Sequence, residues 1–222
     1  GVKPIMEWVD AGEIEKKGTD RLKKYDGIIV PGGFGGRDIE GKIATIQFAR
    51  ENKVPYLGLC YGMQLACVEY ARHVLGLKRA HTTEIEPKTR YPIIHIMPEQ
   101  EKKLLLREYG GTMRLGVWPC KLKPGTRTWN AYKKAGYRSS LIQERHRHRY
   151  EFNNEFLEKF LTNGLVVSGT TPDGKLVEII ELRDHPFFVG TQFHPELRSR
   201  PLHPHPLFLS FIKTAQELSP SS

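Results

Sequence analysis

Short apolar runs and helical periods alternate along the first third of the chain. "YDGIIV" (Tyr25 to Val30) ends abruptly in "PGGFGG", and "VPYLGL" (Val54 to Leu59) ends at a cysteine. Both runs are brief, apolar and carry β-branched residues, the pattern of strands buried on both faces. Between them Ile39, Ile43 and Ile46 fall at helical spacing; after Cys60 the same period runs through Met63, Ala66, Cys67, Tyr70, Ala71 and Val74. Strand, helix, strand, helix predicts an α/β fold with a parallel sheet covered on both faces and functional loops at the carboxyl ends of the strands. Downstream, "LVVSGT", "LVEIIEL" and "FFVGTQF" predict further strands, with Pro172-Asp173-Gly174 as a hairpin turn and the closing "SPSS" as a frayed tail.

Composition narrows the class. At 222 residues the chain is long enough for one sizeable α/β domain. It is 39% apolar and 27% charged, without an uninterrupted apolar stretch of about 20 residues, so no membrane span is predicted. The opening "GVKPIMEWVDAGEIEKKG" lacks the basic, apolar and small-residue regions of a secretory leader. Cys60, Cys67 and Cys120 are an odd number without C-x-x-C spacing, which argues against a disulfide framework or a zinc site; the expected compartment is the cytoplasm, with no metal. The net charge of +9 is concentrated: between Lys121 and Arg149, nine Lys or Arg face the single Glu144. Such a stretch suits nucleic acid, a nucleotide phosphate or an acidic partner surface, and equally an ordinary solvated face.

The candidate chemistry lies at the end of the second strand. Gly58-Leu59-Cys60-Tyr61-Gly62 has the G-x-S-x-G form of a nucleophile elbow with cysteine in place of serine, at the strand-to-helix junction an elbow requires. There the sulfur is exposed by a tight turn, and the helix N-terminus favours a thiolate and lends N–H groups to an oxyanion. Cys67, two turns along the helix among apolar neighbours, reads as core packing. A cysteine nucleophile needs a base. Of nine histidines, His194 in "FVGTQFHPELRSRP" closes a predicted strand, and Glu196 follows two residues on. Residues two apart in an extended segment face the same way, so Glu196 can hold one imidazole nitrogen while the other meets the thiol.

"PGGFGG", "GLCYGMQ" and "TQFHPE" resemble the three signatures of the class I, triad-type glutamine amidotransferase family, in that family's chain order. Longer stretches, "HTTEIEP", "GGTMRLG", "ERHRHRYE" and "DHPFFVGTQFHPELRSRP", are similar to the glutaminase domains of the CTP synthase family, and the likeness runs over nearly the whole chain. The resemblance implies a three-layer α/β sandwich with a mainly parallel central sheet, flavodoxin-like in style. It implies an amidotransferase domain over residues 1–216 with a tail at 217–222, lacking the family's first strand and helix and the synthetase domain. Cys60 would attack the side-chain amide of L-glutamine, His194 would carry the proton to leaving ammonia, and Glu196 would orient His194. Gly33 and the amide of Tyr61 would form the oxyanion hole. Gly62, Met63, Gln64, Glu84 and Arg149 would complete the glutamine site, the last two supplying the opposite charges a zwitterion needs. In "RHRHR", Arg145, Arg147 and Arg149 share one strand face, and it is the resemblance that selects Arg149.

The implied partner is a synthetase domain, in the same polypeptide or a separate chain, which uses the ammonia for ATP-dependent amination of UTP to CTP; the complete enzyme would be a homo-oligomer. No cofactor is expected in this chain. ATP, Mg and UTP belong to the synthetase domain, GTP is the expected allosteric activator, and no phosphate-binding G-x-x-x-x-G-K-[ST] loop occurs here. One departure from the family is Tyr61, where leucine is usual. Two other readings stand beside this one: a stand-alone γ-glutamyl hydrolase on the same fold, and a basic nucleic-acid or nucleotide-binding module built on Lys121 to Arg149.

Overall fold

A computed structural model describes residues 2–96 and 113–219. Among these the helices are α1 (Ala11–Lys17), α2 (Ile39–Glu51), α3 (Tyr61–His73), α4 (Arg127–Lys134), α5 (Leu157–Thr162) and α6 (Pro206–Leu218). The strands are β1 (Ile28–Val30), β2 (Tyr56–Leu59), β3 (Ala80–Thr82), β4 (Tyr91–Ile96), β5 (Arg114–Leu122), β6 (Leu141–His148), β7 (Tyr150–Phe152), β8 (Leu165–Thr170), β9 (Val177–Leu182) and β10 (Phe188–Thr191). Seven strands form the central sheet in the order β1-β2-β10-β9-β8-β5-β6. The α/β architecture expected from the sequence is present, with one correction to the sheet. Only β1, β2 and β10 run parallel; from β10 outward every pairing is antiparallel. The reason is the connections: β8 and β9 are joined by the Pro172-Asp173-Gly174 turn, closed by Gly174 N–H to the Thr171 carbonyl at 2.8 Å, and a short turn reverses the chain.

The sheet is covered on both faces. Tyr56 joins a core with Ile43, Ile46, Ala66 and Val68 beneath α2 and α3, while Leu57 and Leu59 join a second with Phe187, Val189, Tyr132, Leu207 and Phe211 beneath α4 and α6. Alternation along one strand thus feeds two cores, giving three layers. The central helix α3 departs from the amphipathic pattern read from the sequence: every residue from Tyr61 to Ala71 is buried. A second, three-stranded sheet, β3-β4-β7, closes over its far side, so no face of this helix is left for solvent.

The basic stretch folds as α4 and β6. In β6, Ile142, Glu144, His146 and His148 point inward, and Leu141, Gln143, Arg145 and Arg147 point to solvent. The alternation expected in "RHRHR" therefore holds through His148, but Arg149 sits in a bend between β6 and β7 and is half-buried, off the exposed face it was expected to share. At the other end of the chain, His205 caps α6 by accepting the Leu207 N–H at Nδ1, and Pro206 opens the first turn where its missing N–H costs nothing. The helix continues to Leu218, two residues into the segment expected as tail; residues 220–222, like the opening Gly-Gly-Thr of "GGTMRLG", lie outside the described residues.

Candidate functional site

Strand register assembles the site. In the parallel trio Val30 pairs with Gly58, Gly190 with Gly58, and Thr191 with Leu59, so the loops after β1, β2 and β10 leave the sheet side by side. These loops are "PGGFGG", the cysteine elbow and "QFHPE". A backbone hydrogen bond from Cys60 N–H to the Thr191 carbonyl at 2.6 Å locks two of them together. The elbow is a strained turn in fact: Cys60 has φ 49° and ψ −96°, one of three non-glycine residues with positive φ among those described. Such a conformation costs roughly 1–3 kcal/mol and persists only where packing dictates it. The packing is visible at Gly62, where a Cβ would sit 2.2 Å from the Val30 carbonyl oxygen. Only glycine lets the first turn of α3 press this closely on β1.

His194 lies across the elbow from the Gly32 loop. A Cβ on Gly32 would come within 2.8 Å of His194 Cε1 and 3.8 Å of Cys60 Cβ, which places the imidazole and the cysteine against one small space. His194 Nδ1 and Glu196 Oε1 are 2.6 Å apart. The carboxylate can only accept, so Nδ1 carries the hydrogen and Nε2 presents its lone pair; Nε2 is buried and makes no hydrogen bond among the described residues. The local geometry corrects the extended segment expected here. Pro195 opens a 3₁₀ turn, Pro195–Leu197, and it is this turn that brings the Glu196 carboxylate back to the ring. Burial pushes the Cys60 thiol up to about 12 and the charge of Glu196 adds to the rise, while the Tyr61 N–H pulls it down. The resting sulfur is therefore a thiol and needs a base to take its proton. Cys67 is fully buried and lies in the core, as the sequence indicates.

The other expected residues gather around the same loops. The Tyr61 ring packs on Gly33, its hydroxyl donates to the Gly35 carbonyl at 2.6 Å, and Lys42 Nζ stands 5.9 Å from the ring centroid. The residue after the nucleophile thereby ties the glycine loop to the elbow. Met63 is fully buried, its side chain packed on Gly190 of β10. Glu84 accepts the Gly35 N–H at 3.1 Å. Burial raises the Tyr150 phenol; the charge of Glu84 adds to the rise and that of Arg149 opposes it. The bend at Arg149 separates it from Arg145 and Arg147, which stay on the outer face. Gln64 is buried and donates its amide hydrogens to the Tyr150 carbonyl at 3.0 Å and to Gln192 Oε1 at 3.2 Å.

Sequence reasoning missed the ionisable cluster behind the elbow. Arg114 donates to Glu151 at 3.2 Å and to Glu178 at 2.8 Å; His146 Nε2 lies 3.7 Å from Glu178, His148 Nδ1 lies 3.5 Å from Glu151, and the two imidazoles meet at 2.9 Å. One guanidinium cannot neutralise two buried carboxylates. Burial pushes Glu151 up to about 8 against the pull of Arg114, and Glu178 also rises. Burial, then the Arg114 charge, drive His146 down to about 2 and His148 to about 3, so both rings are neutral. The available signal was the inward phase of "RHRHR", whose histidines must be buried if its arginines are exposed. Gln192 was missed as well, an amide in an otherwise apolar strand end, 3.6 Å from Cys60 Sγ.

An elbow cysteine, an imidazole held by a carboxylate and a glycine loop at the ends of three parallel strands define a class. The family model for glutamine amidotransferase class-I matches residues 1–214, and the chain belongs to that family. Within it the similarity is to CTP synthase. The chain is 58% identical over 214 residues to the CTP synthase of Caldanaerobacter subterraneus subsp. tengcongensis and 54% identical over 213 residues to that of Bacillus subtilis. Each alignment covers 96% of this chain and 38% of the relative, so the chain spans a little over a third of the length of these relatives. Among solved structures, the glutaminase domain of Trypanosoma brucei CTPS with bound acivicin superposes with a TM-score of 0.88 at 34% identity, covering 98% of this chain and 83% of that one.

Proposed function

We propose that this chain hydrolyses L-glutamine to glutamate and ammonia through a thioester on Cys60. The observation that carries the reading is the strained Cys60 at the head of α3 beside an imidazole whose other nitrogen is held by Glu196 at 2.6 Å. His194 Nε2 takes the thiol proton as sulfur attacks the amide carbon. The developing oxyanion lies where the N–H groups of Gly33 and Tyr61 can stabilise it, in a dry site where such donors act strongly. The proton on His194 then passes to the departing ammonia and leaves the γ-glutamyl thioester. Water, activated by the same imidazole, releases glutamate and restores the thiol. Glu84 and Arg149 take the ammonium and carboxylate of the substrate, with Gln64 and the backbone of Gly62 and Met63 lining the remaining wall. For Glu84 to serve, its hydrogen bond to Gly35 must be shared with or yielded to the substrate ammonium.

The whole reaction extends the proposal: the ammonia goes to a synthetase domain that aminates UTP at the expense of ATP, in a cytoplasmic homo-oligomer whose glutaminase GTP activates. Residues 1–216 constitute the amidotransferase domain of that system. No described helix is long and apolar enough to cross a membrane. Besides Arg149, the basic stretch meets the site through the Arg145 carbonyl, which accepts the His194 N–H at 2.8 Å; the exposed Arg145 and Arg147 on that strand are candidates for sensing nucleotide or an acidic partner surface.

The test is substrate choice with and without GTP. Release of glutamate and ammonia in equal amounts from L-glutamine supports the proposal. Faster turnover of γ-glutamyl peptides would move the protein to the γ-glutamyl hydrolases, and inertness toward both would leave a binding module.

A further inference from the structure

The way the buried amide of Gln192 must point follows from a backbone atom two contacts away. The Tyr150 carbonyl oxygen can only accept, so the group of Gln64 that lies 3.0 Å from it is the amide nitrogen. That same nitrogen lies 3.2 Å from one end of the Gln192 amide. A second nitrogen at that position would set donor against donor, so the end facing Gln64 is Oε1. The other end, Nε2, is then the group 3.6 Å from Cys60 Sγ, an ordinary distance for a hydrogen bond to the larger sulfur atom. Gln192 is fully buried and Gln64 nearly so, which keeps water from replacing either contact. The Gln192 backbone is fixed too, its N–H donating to the Glu178 carbonyl at 2.8 Å.

We propose that Gln192 is a catalytic residue: its amide N–H donates to the Cys60 sulfur and stabilises the thiolate as His194 takes the proton, and the Tyr150–Gln64 contacts set the amide's polarity. The proton moves from Sγ to His194 Nε2 and no other bond changes. Sulfur needs this help. Burial and the Glu196 carboxylate both resist the thiolate, and the N–H groups of Tyr61 and Gln192 oppose them from the protein side. A buried anion facing N–H donors is held by charge-assisted hydrogen bonds, stronger than those to a neutral thiol, so the contact strengthens as the proton leaves. The inference rests on Cys60 as the nucleophile and extends that reading to its partner.

The experiment reads the thiol directly, without glutamine. The protein is alkylated with iodoacetamide at about pH 7, the modified Cys60 peptide is followed by mass spectrometry, and its rate is compared in wild type, Gln192→Met and Gln192→Glu. Far below its midpoint a thiol reacts in proportion to its thiolate fraction, so removing the donor with Gln192→Met should make alkylation about tenfold slower. Gln192→Glu keeps the shape but sets a carboxylate beside sulfur, and should slow it further. In both, kcat for glutamine should fall while KM stays within about twofold. A rate equal to wild type in Gln192→Glu, at an unchanged melting temperature, would overturn the proposal, whatever the stability of Gln192→Met. If glutamine were not the substrate, the rate differences would remain and turnover would be absent from wild type, so the two failures are distinguishable.

Discussion

Two cysteines seven residues apart, Cys60 on the turn that opens α3 and Cys67 within it, show how completely local geometry decides the fate of a thiol. Cys60 and Cys67 are both buried, and burial raises both thiols. Only Cys60 sits on a strained turn with positive φ, facing backbone N–H and imidazole groups. Cys60→Ala should therefore lower glutamine turnover by at least about 10³-fold with the fold retained, because alanine has no atom to form the thioester. Cys67→Ala should keep turnover and lose stability by about 1–3 kcal/mol, measured by denaturant unfolding. At Glu196 the expected change is in rate. Glu196→Gln keeps a side chain in place but weakens support for the charged imidazole, so kcat should fall about 10²-fold or more with little change in KM. The elbow and the His194–Glu196 pairing were legible in the sequence, from Gly58 and Gly62 and from the two-residue spacing, but the 3₁₀ turn at Pro195 that makes the pairing was not, since an extended segment was expected there. Tyr61 was not legible. Nothing in its neighbours indicates that its hydroxyl would fold back on Gly35.

Among the elements, the parallel trio was readable and the antiparallel half was not. β1, β2 and the helices that follow them carry simple apolar patterns: Ile28 and Val30 are buried, all four residues of β2 are buried, and α2 and α3 pack on the sheet through their apolar positions. β5 and β6 present one face to solvent and bury ionisable residues on the other, so their inward positions read as polar. The buried Arg114, Glu151, Glu178, His146 and His148 make stability depend on pH. Glu151 is raised from 4.5 to about 8 in the fold, so its contribution is fully present below 4.5 and is lost as pH rises through about 8. His146 and His148 are lowered from 6.5, so theirs is lost as pH falls below 6.5. The slopes oppose each other between 4.5 and 6.5, and between 6.5 and 8 the raised carboxylates, Glu151 with Glu178 in the same direction, are no longer opposed by these histidines. Wild type should lose thermal stability across that upper window, and Glu151→Gln, which keeps hydrogen-bonding capacity without an ionisable proton, should lose less. Parallel melting curves for the two proteins from pH 6.5 to 8 would show that Glu151 does not hold its proton in the fold.

For the whole molecule, the fold class and the chain order of the site were readable from three short motifs, whereas the meaning of the basic stretch was not. Charge is a sum over sequence, and the fold scatters it. Lys133, Lys134 and Arg138 are exposed before the start of β6, while Arg149 follows its end. Eight residues of strand span about 25 Å, roughly three Debye lengths at physiological salt. Neutralising those three residues together should leave glutamine KM and kcat within about twofold of wild type at 0.15 M salt; a larger change in KM would mean the stretch acts on the glutamine site after all. A glutamine pocket built around the Cys60 sulfur can be probed by covalent labelling with an electrophilic glutamine analogue, followed by peptide mass spectrometry. The label should fall on Cys60, with Cys67 and Cys120 unmodified, and L-glutamine should protect against it in proportion to its concentration. Labelling of another cysteine, no labelling, or labelling that glutamine does not slow would contradict it.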